Sequence, residues 1–165
     1  MVIVLFLSWR IIGVMILITR ALSAEHQMFC GVFDEVEKAL AGFSRLEEVR
    51  RTARLVEGLL LSHAQVEEEL LILAEQHLPT DPRRYGPCRK EHQEIDSQLT
   101  RVRSSSKFDR ACSLLRGAMA ASRKHFKHEE RKVFPLIEKG MAAEALTKLG
   151  TVWFLQRHTP ANWTL

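Results

Sequence analysis

The chain has 165 residues, 46% hydrophobic and 27% charged, with a net charge of +4, which is enough apolar material to bury one core without staples. Its densest basic cluster, Arg101 to Arg103 with Lys107 and Arg110, lacks interleaved aromatics and any reader motif, so no nucleic acid is expected as a partner. Cys30, Cys88 and Cys112 are far apart with no C-x-x-C, which excludes a zinc knuckle or a disulfide framework and fits reduced thiols in a cytoplasmic protein.

Residues 1–19, MVIVLFLSWRIIGVMILIT, are nearly all apolar, but Arg10 would lie near a bilayer centre. No positive n-region precedes Val2, as a signal peptide would need. An apolar extension outside the domain, residues 1–17, is the favoured reading, with a start at Met15 as one form of it. A membrane anchor and an exported form are less favoured.

The remainder reads as helices, because strand-like alternation is absent and turn residues separate segments of 3.6-residue period. The first helix is expected from about Ala21 to Ala41, with His26, Phe29, Phe33, Val36 and Leu40 on one stripe and Gly42 as its stop. Ser44-Arg-Leu-Glu47 is a capping-box pattern for a second, antiparallel helix reaching about His77. Its stripe carries Val49, Ala53, Val56, Leu60, His63, Glu67, Leu70 and Ala74. Pro79, Pro82, Gly86 and Pro87 mark a loop.

A shorter third helix, about Pro87 to Arg103, aligns His92, Ile95, Leu99 and Val102. Ser106-x-x-Asp109 is expected to cap a fourth helix running to about Lys139. There Leu115, Ala118, Ser122, His125, Glu129, Val133 and Leu136 share a side, and Pro135 should kink or loosen the last turn. After Gly140, Met141 to Lys148 can form a short fifth helix. The tail, residues 149–165, holds Trp153, Phe154 and Trp163 without a period. Short connections favour an all-α, antiparallel up-down-up-down four-helix bundle over residues 18–148.

Within that bundle, His63-x-x-x-Glu67 and His125-x-x-x-Glu129 each place an imidazole and a carboxylate on one helix face. Spacing alone is weak evidence: with 16 Glu and seven His, about 0.7 such pairs arise by chance. Placement decides the matter. Both units, and His26 and His92, interrupt apolar stripes, and no Lys or Arg shares those stripes to neutralise Glu67 and Glu129. One histidine on an apolar face is ordinarily a hydrogen-bonded core residue, but four, one per helix, with two carboxylates favour metal. Six N/O ligands suit a pair of non-haem iron ions, with manganese or zinc as lesser choices. Glu67 and Glu129 would bridge them, His26 pairing with His63 and His92 with His125. A single structural zinc would leave two ligands over. His77, His128 and His158 read as bundle-end, exposed and tail residues. Glu68, Glu69 and Glu130 read as solvated, and Cys30 as ordinary core.

The pattern His26 … His63-x-x-x-Glu67 … His92 … His125-x-x-x-Glu129, with EHQMF around His26 and HFKHEERKVFPLI from His125, resembles the hemerythrin-like HHE cation-binding domain over about Ile18 to Gly140. Ferritin-like di-iron bundles use Glu-x-x-His, and no histidine here has Glu three residues before it. The resemblance implies a left-handed hemerythrin-like bundle holding two irons bridged by oxo or hydroxo. Oxygen carriers of this type have a second histidine in the third helix, where this chain has Cys88 and Asp96. The four-His, two-Glu set is closer to iron-centre repair proteins and to iron and oxygen sensors. The resemblance therefore implies binding or sensing of O2, NO, peroxide or iron. The alternative is an enzyme acting on peroxide or NO, or an iron donor.

Overall fold

The computed structural model describes residues 16–78 and 85–158, the side chain of His158 excepted. The expectations for residues 1–15, Pro79, Pro82, Trp163 and the His158 side chain fall outside that range. The elements are α1 (Ile18–Leu40), α2 (Leu46–His77), α3 (Gly86–Ser104), α4 (Phe108–His128), a π-helical turn (Glu129–Val133), α5 (Phe134–Gly140) and α6 (Ala143–His158). None of the described helices is long and apolar enough to cross a membrane.

Helix α1 buries Ile18, Leu22, His26, Phe29, Phe33 and Leu40 along one stripe. It ends as the N–H groups of Ala41 and Gly42 bond back to Lys38 and Ala39. Gly42 does not use a left-handed conformation there. The start of α2 differs from the expected Ser44–Glu47 box. Arg45 is the N-cap, and the Glu48 carboxylate accepts the N–H groups of Ser44 at 3.0 Å and Arg45 at 2.9 Å. Glu48 wins because it lies three residues beyond the cap, where a carboxylate reaches back to the orphan donors.

Gly86 and Pro87 open α3, where proline loses no helical bond. The cap of α4 also differs from expectation. Lys107 is the N-cap, no side chain caps it, and its N–H donates to Ser105 Oγ at 3.3 Å, so Ser106 plays no part.

Pro135 acts upstream of itself. It has no N–H to give to the carbonyl four residues back, and the preceding turn widens so that Phe134 N–H reaches the Glu129 carbonyl. The last helix is longer than expected: α6 runs to His158 and takes in Trp153 and Phe154, which the sequence placed in an unperiodic tail.

Long-range polar pairs give the register. Arg89 near the start of α3 meets Glu75 near the end of α2, and Arg103 at the far end of α3 meets Glu57. His125 pairs back to Glu91, while Arg123 and Glu130 reach Asp34 and His26 of α1. Every neighbouring pair in the ring α1–α2–α3–α4 is therefore antiparallel, giving an up-down-up-down bundle.

Two apolar cores fill it. One contains Phe29, Phe33, Val56, Leu99, Leu115 and Phe126; the other contains Leu22, Leu71, Tyr85, Val133, Ile137 and Leu146 from α6. Each such large side chain contributes about 1.5–3 kcal/mol of burial. A layer of histidines and glutamates separates them.

Candidate metal centre

That layer holds all six residues singled out in the sequence. His26, His63, Glu67, His125 and Glu129 are buried, and His92 is half-buried. Glu67 lies at its middle. Its Oε1 stands 2.6 Å from His63 Nε2 and 3.1 Å from His26 Nε2. Its Oε2 stands 3.2 Å from His92 Nε2 and 3.8 Å from His125 Nε2. Glu129 Oε2 lies between the halves, 3.5 Å from His26 Nε2 and 3.4 Å from His125 Nε2. These six residues form two metal-sized groupings, His26–His63–Glu67 and Glu67–His92–His125–Glu129, sharing Glu67, and a third, Cys88–Glu91–His125, adjoins them at His125.

Behind the histidines stand three carboxylates that the sequence did not reveal as participants. His63 Nδ1–H donates to Glu25 at 2.8 Å, His125 Nδ1–H to Glu91 at 2.9 Å, and His26 Nδ1–H to Glu130 at 2.9 Å. A proton on Nδ1 leaves the Nε2 lone pair facing the centre, and the carboxylate fixes the ring and raises its basicity. The two halves repeat one plan. Glu25-His26 on α1 gives one imidazole to the centre and one carboxylate to His63 of α2, while Glu91-His92 on α3 does the same for His125 of α4. The Glu-His dipeptide, present twice, was the available signal. Glu130 was not legible, because it stays exposed beside the buried Glu129 and reaches a residue of another helix. It is thus a partner of His26 rather than a merely solvated residue, and Glu68 likewise pairs with Arg89 at 2.8 Å. Glu69 is exposed, as expected.

The layer suits a cation. Glu67 Oε2 and both oxygens of Glu129 are buried with no hydrogen-bond donor, a state that costs about 1–3 kcal/mol per group unless something positive supplies the missing interaction. Burial, reinforced by the charge of Glu67, pushes the Glu129 carboxyl well above its usual range. Burial opposes ionisation of Glu67 too, but the surrounding imidazoles, His63 foremost, outweigh it and hold that carboxyl well below the usual range. His63 responds in the opposite sense. Burial pulls it down, yet Glu67 and Glu25 outweigh burial and raise it to about 9. His92 Nε2 and His125 Nε2 approach to 2.8 Å. Without a cation one of them must carry a proton; with a cation both lone pairs can point at it, since neighbouring ligands of a metal at ordinary bond lengths lie about 3 Å apart. Four imidazole nitrogens and two carboxylates, with no thiolate among them, fit non-haem iron.

One side of the layer is open. A cavity of about 20 Å³ is lined by His63, Glu67, His92, His125 and the apolar Leu60, Ile95 and Phe126. That is room for one small molecule. Asp96, which is exposed, lies at its rim. Cys88 is fully buried beside Glu91 and His125, and without a metal, burial with the nearby Glu91 and Glu67 pushes its thiol up to about 12. His128, expected to be exposed, is half-buried and donates to Glu91 at 2.9 Å. His77 is exposed at the end of α2 and donates to the Leu73 carbonyl. Cys30 is half-buried against the first core.

Residues 17–137 match the family model described as the hemerythrin HHE cation binding domain. No curated protein and no solved structure matches the chain. The matched span contains all six inward ligand candidates and stops within α5, leaving α6 outside it. The chain therefore belongs to the hemerythrin HHE cation-binding domain family.

Proposed function

We propose that this protein holds two non-haem iron ions through His26, His63, Glu67, His92, His125 and Glu129, and that it binds or senses a small ligand, O2, NO or peroxide, beside them. The observation that carries the reading is the position of Glu67, whose two oxygens each face a different histidine pair, at 2.6 and 3.1 Å on one side and 3.2 and 3.8 Å on the other. A carboxylate so placed can serve two metals at once. Bound iron would supply an open coordination position and a change of oxidation state.

The chain's own residues supply the rest. Glu25, Glu91 and Glu130 hold three of the rings in the tautomer that presents Nε2. Phe126 stacks on His26 at 4.1 Å between ring centroids and helps keep bulk water from the layer. The cavity of about 20 Å³ favours a ligand of diatomic size.

Among the described residues, the side chains lining that cavity are the proposed ligands, apolar groups and the exposed Asp96, which favours binding or sensing over turnover. The test is the visible absorption of iron-loaded protein before and after exposure to O2 and to NO, run beside an assay for peroxide consumption. The reading predicts gas-dependent absorption changes with no sustained turnover. Catalytic consumption of peroxide would favour the enzyme alternative, and a spectrum indifferent to both gases would overturn ligand sensing.

A further inference from the structure

We propose that Arg157, carried by the C-terminal helix α6, is a positioning residue for the His26–His63 half of the metal centre, so that α6 controls how firmly this half keeps its metal. The inference rests on the reading of the layer as a metal centre and adds an element to it.

The guanidinium of Arg157 spans three helices. Its Nε–H donates to Glu25 Oε1 of α1 at 3.0 Å, its Nη1–H to Ser62 Oγ of α2 at 2.7 Å, and its Nη2–H to the Ser62 carbonyl at 3.2 Å. The other oxygen of Glu25 accepts from His63 Nδ1 at 2.8 Å, and His63 Nε2 faces Glu67 at 2.6 Å. An uninterrupted line thus runs from Arg157 through Glu25 and His63 to the shared carboxylate. Ser62 adjoins His63 in sequence, so the same guanidinium also grips the backbone that carries the ring. The planar fork of arginine makes all three bonds at once, which a lysine cannot.

Neither other orienting carboxylate is held this way. Among the described residues, Glu91 pairs with His125 and His128, and Glu130 with His26. The two halves of the centre, alike in plan, therefore differ in this one support.

The seat of α6 is specific. Leu146, Gly150, Trp153 and Arg157 follow a helical stripe. Leu146 is buried in the second core, and Trp153 packs against it and beneath the Arg157 guanidinium, 5.9 Å from the ring centroid. At Gly150 the helix lies so close to the start of α1 that an added Cβ would run into the Ile16 carbonyl. A side chain there lifts α6 and withdraws Arg157.

The test uses full-length protein loaded with iron, and follows transfer of iron to a ferrous chelator. Arg157→Ala and Gly150→Val should release about half of the iron some 10- to 100-fold faster, the usual effect of losing a group that orients a ligand, with the other half leaving at the original rate. Arg157→Lys should fall between. In metal-free protein, the histidine ring ¹⁵N signals of His63 should move in Arg157→Ala while those of His125 stay. Unchanged release together with unchanged His63 signals overturns the proposal. So does equal acceleration of all the iron, which would mean that α6 merely stabilises the whole bundle. Wild-type protein that takes up no iron would instead refute the metal reading, and the His63 signals would still decide whether Arg157 positions that ring.

Discussion

Among single residues, Glu129 carries an unanswered electrostatic demand: fully buried, without a donor to either oxygen, and next to the charge of Glu67. Its neutral isostere removes the repulsion and keeps the shape. Glu129→Gln should therefore raise the thermal midpoint of metal-free protein by about 2–4 °C, the shift that ~1 kcal/mol produces in a chain this long. It should also lower the iron content, as calorimetry and metal analysis of the same preparation would show. A midpoint that falls would mean that the carboxylate finds compensation in the metal-free state. The ligand candidates themselves were legible in the sequence, since i, i+4 spacing on an apolar stripe depends on one helix alone. For Glu25 and Glu91 the repeated Glu-His dipeptide was a signal without a role, and Arg157 had none, because each acts on a residue of a different helix and only the register of the bundle brings them together.

At the scale of elements, the π turn at Glu129–Val133 directly follows α4 and carries both the buried Glu129 and the exposed Glu130 that reaches His26. Pro135 enforces it by lacking an N–H. Pro135→Ala should allow α4 to continue as a regular α-helix, raise stability slightly and pull Glu130 away from His26. Iron retention in chelator competition should then fall roughly tenfold. A variant that keeps the π turn and full retention would show that packing of Phe134 and Ile137, rather than the proline, shapes this segment. The sequence marked Pro135 as a disturbance but could not fix its form, because a kink, a frayed end and a widened turn all answer the same missing bond. Capping signals failed for a related reason: Ser44 and Ser106 offered plausible caps, but Glu48 takes the free N–H groups at the start of α2, while α4 starts with no side-chain cap. Helix α6 was underestimated because its hydrophobic pattern is nearly uniform around the helix; the stripe that docks it contains a glycine and an arginine.

For the whole molecule, the architecture is two apolar cores divided by a polar layer, and folding of the metal-free chain must carry that layer. The pH response follows. His63 is raised from its ordinary value to about 9, so its stabilising contribution is complete below about pH 6.5 and disappears as pH rises through 9. Glu129, raised as well, shifts stability in the same sense. Glu25, which burial would raise, is held low by His63 and Arg157; it contributes above the ordinary carboxylate range and loses that contribution in acid. Metal-free protein should thus lose thermal stability between about pH 6.5 and 9.5, whereas loaded protein, with metal in place of protons, should change much less. Parallel slopes for the two forms would contradict the layer's role as a ligand set. The central claim, that Glu67 joins two metals, is tested most directly by the iron content of wild-type protein and Glu67→Ala purified from iron-replete cells. The account predicts about two irons per wild-type chain and loss of both in the variant, and a variant that retains full loading would contradict it.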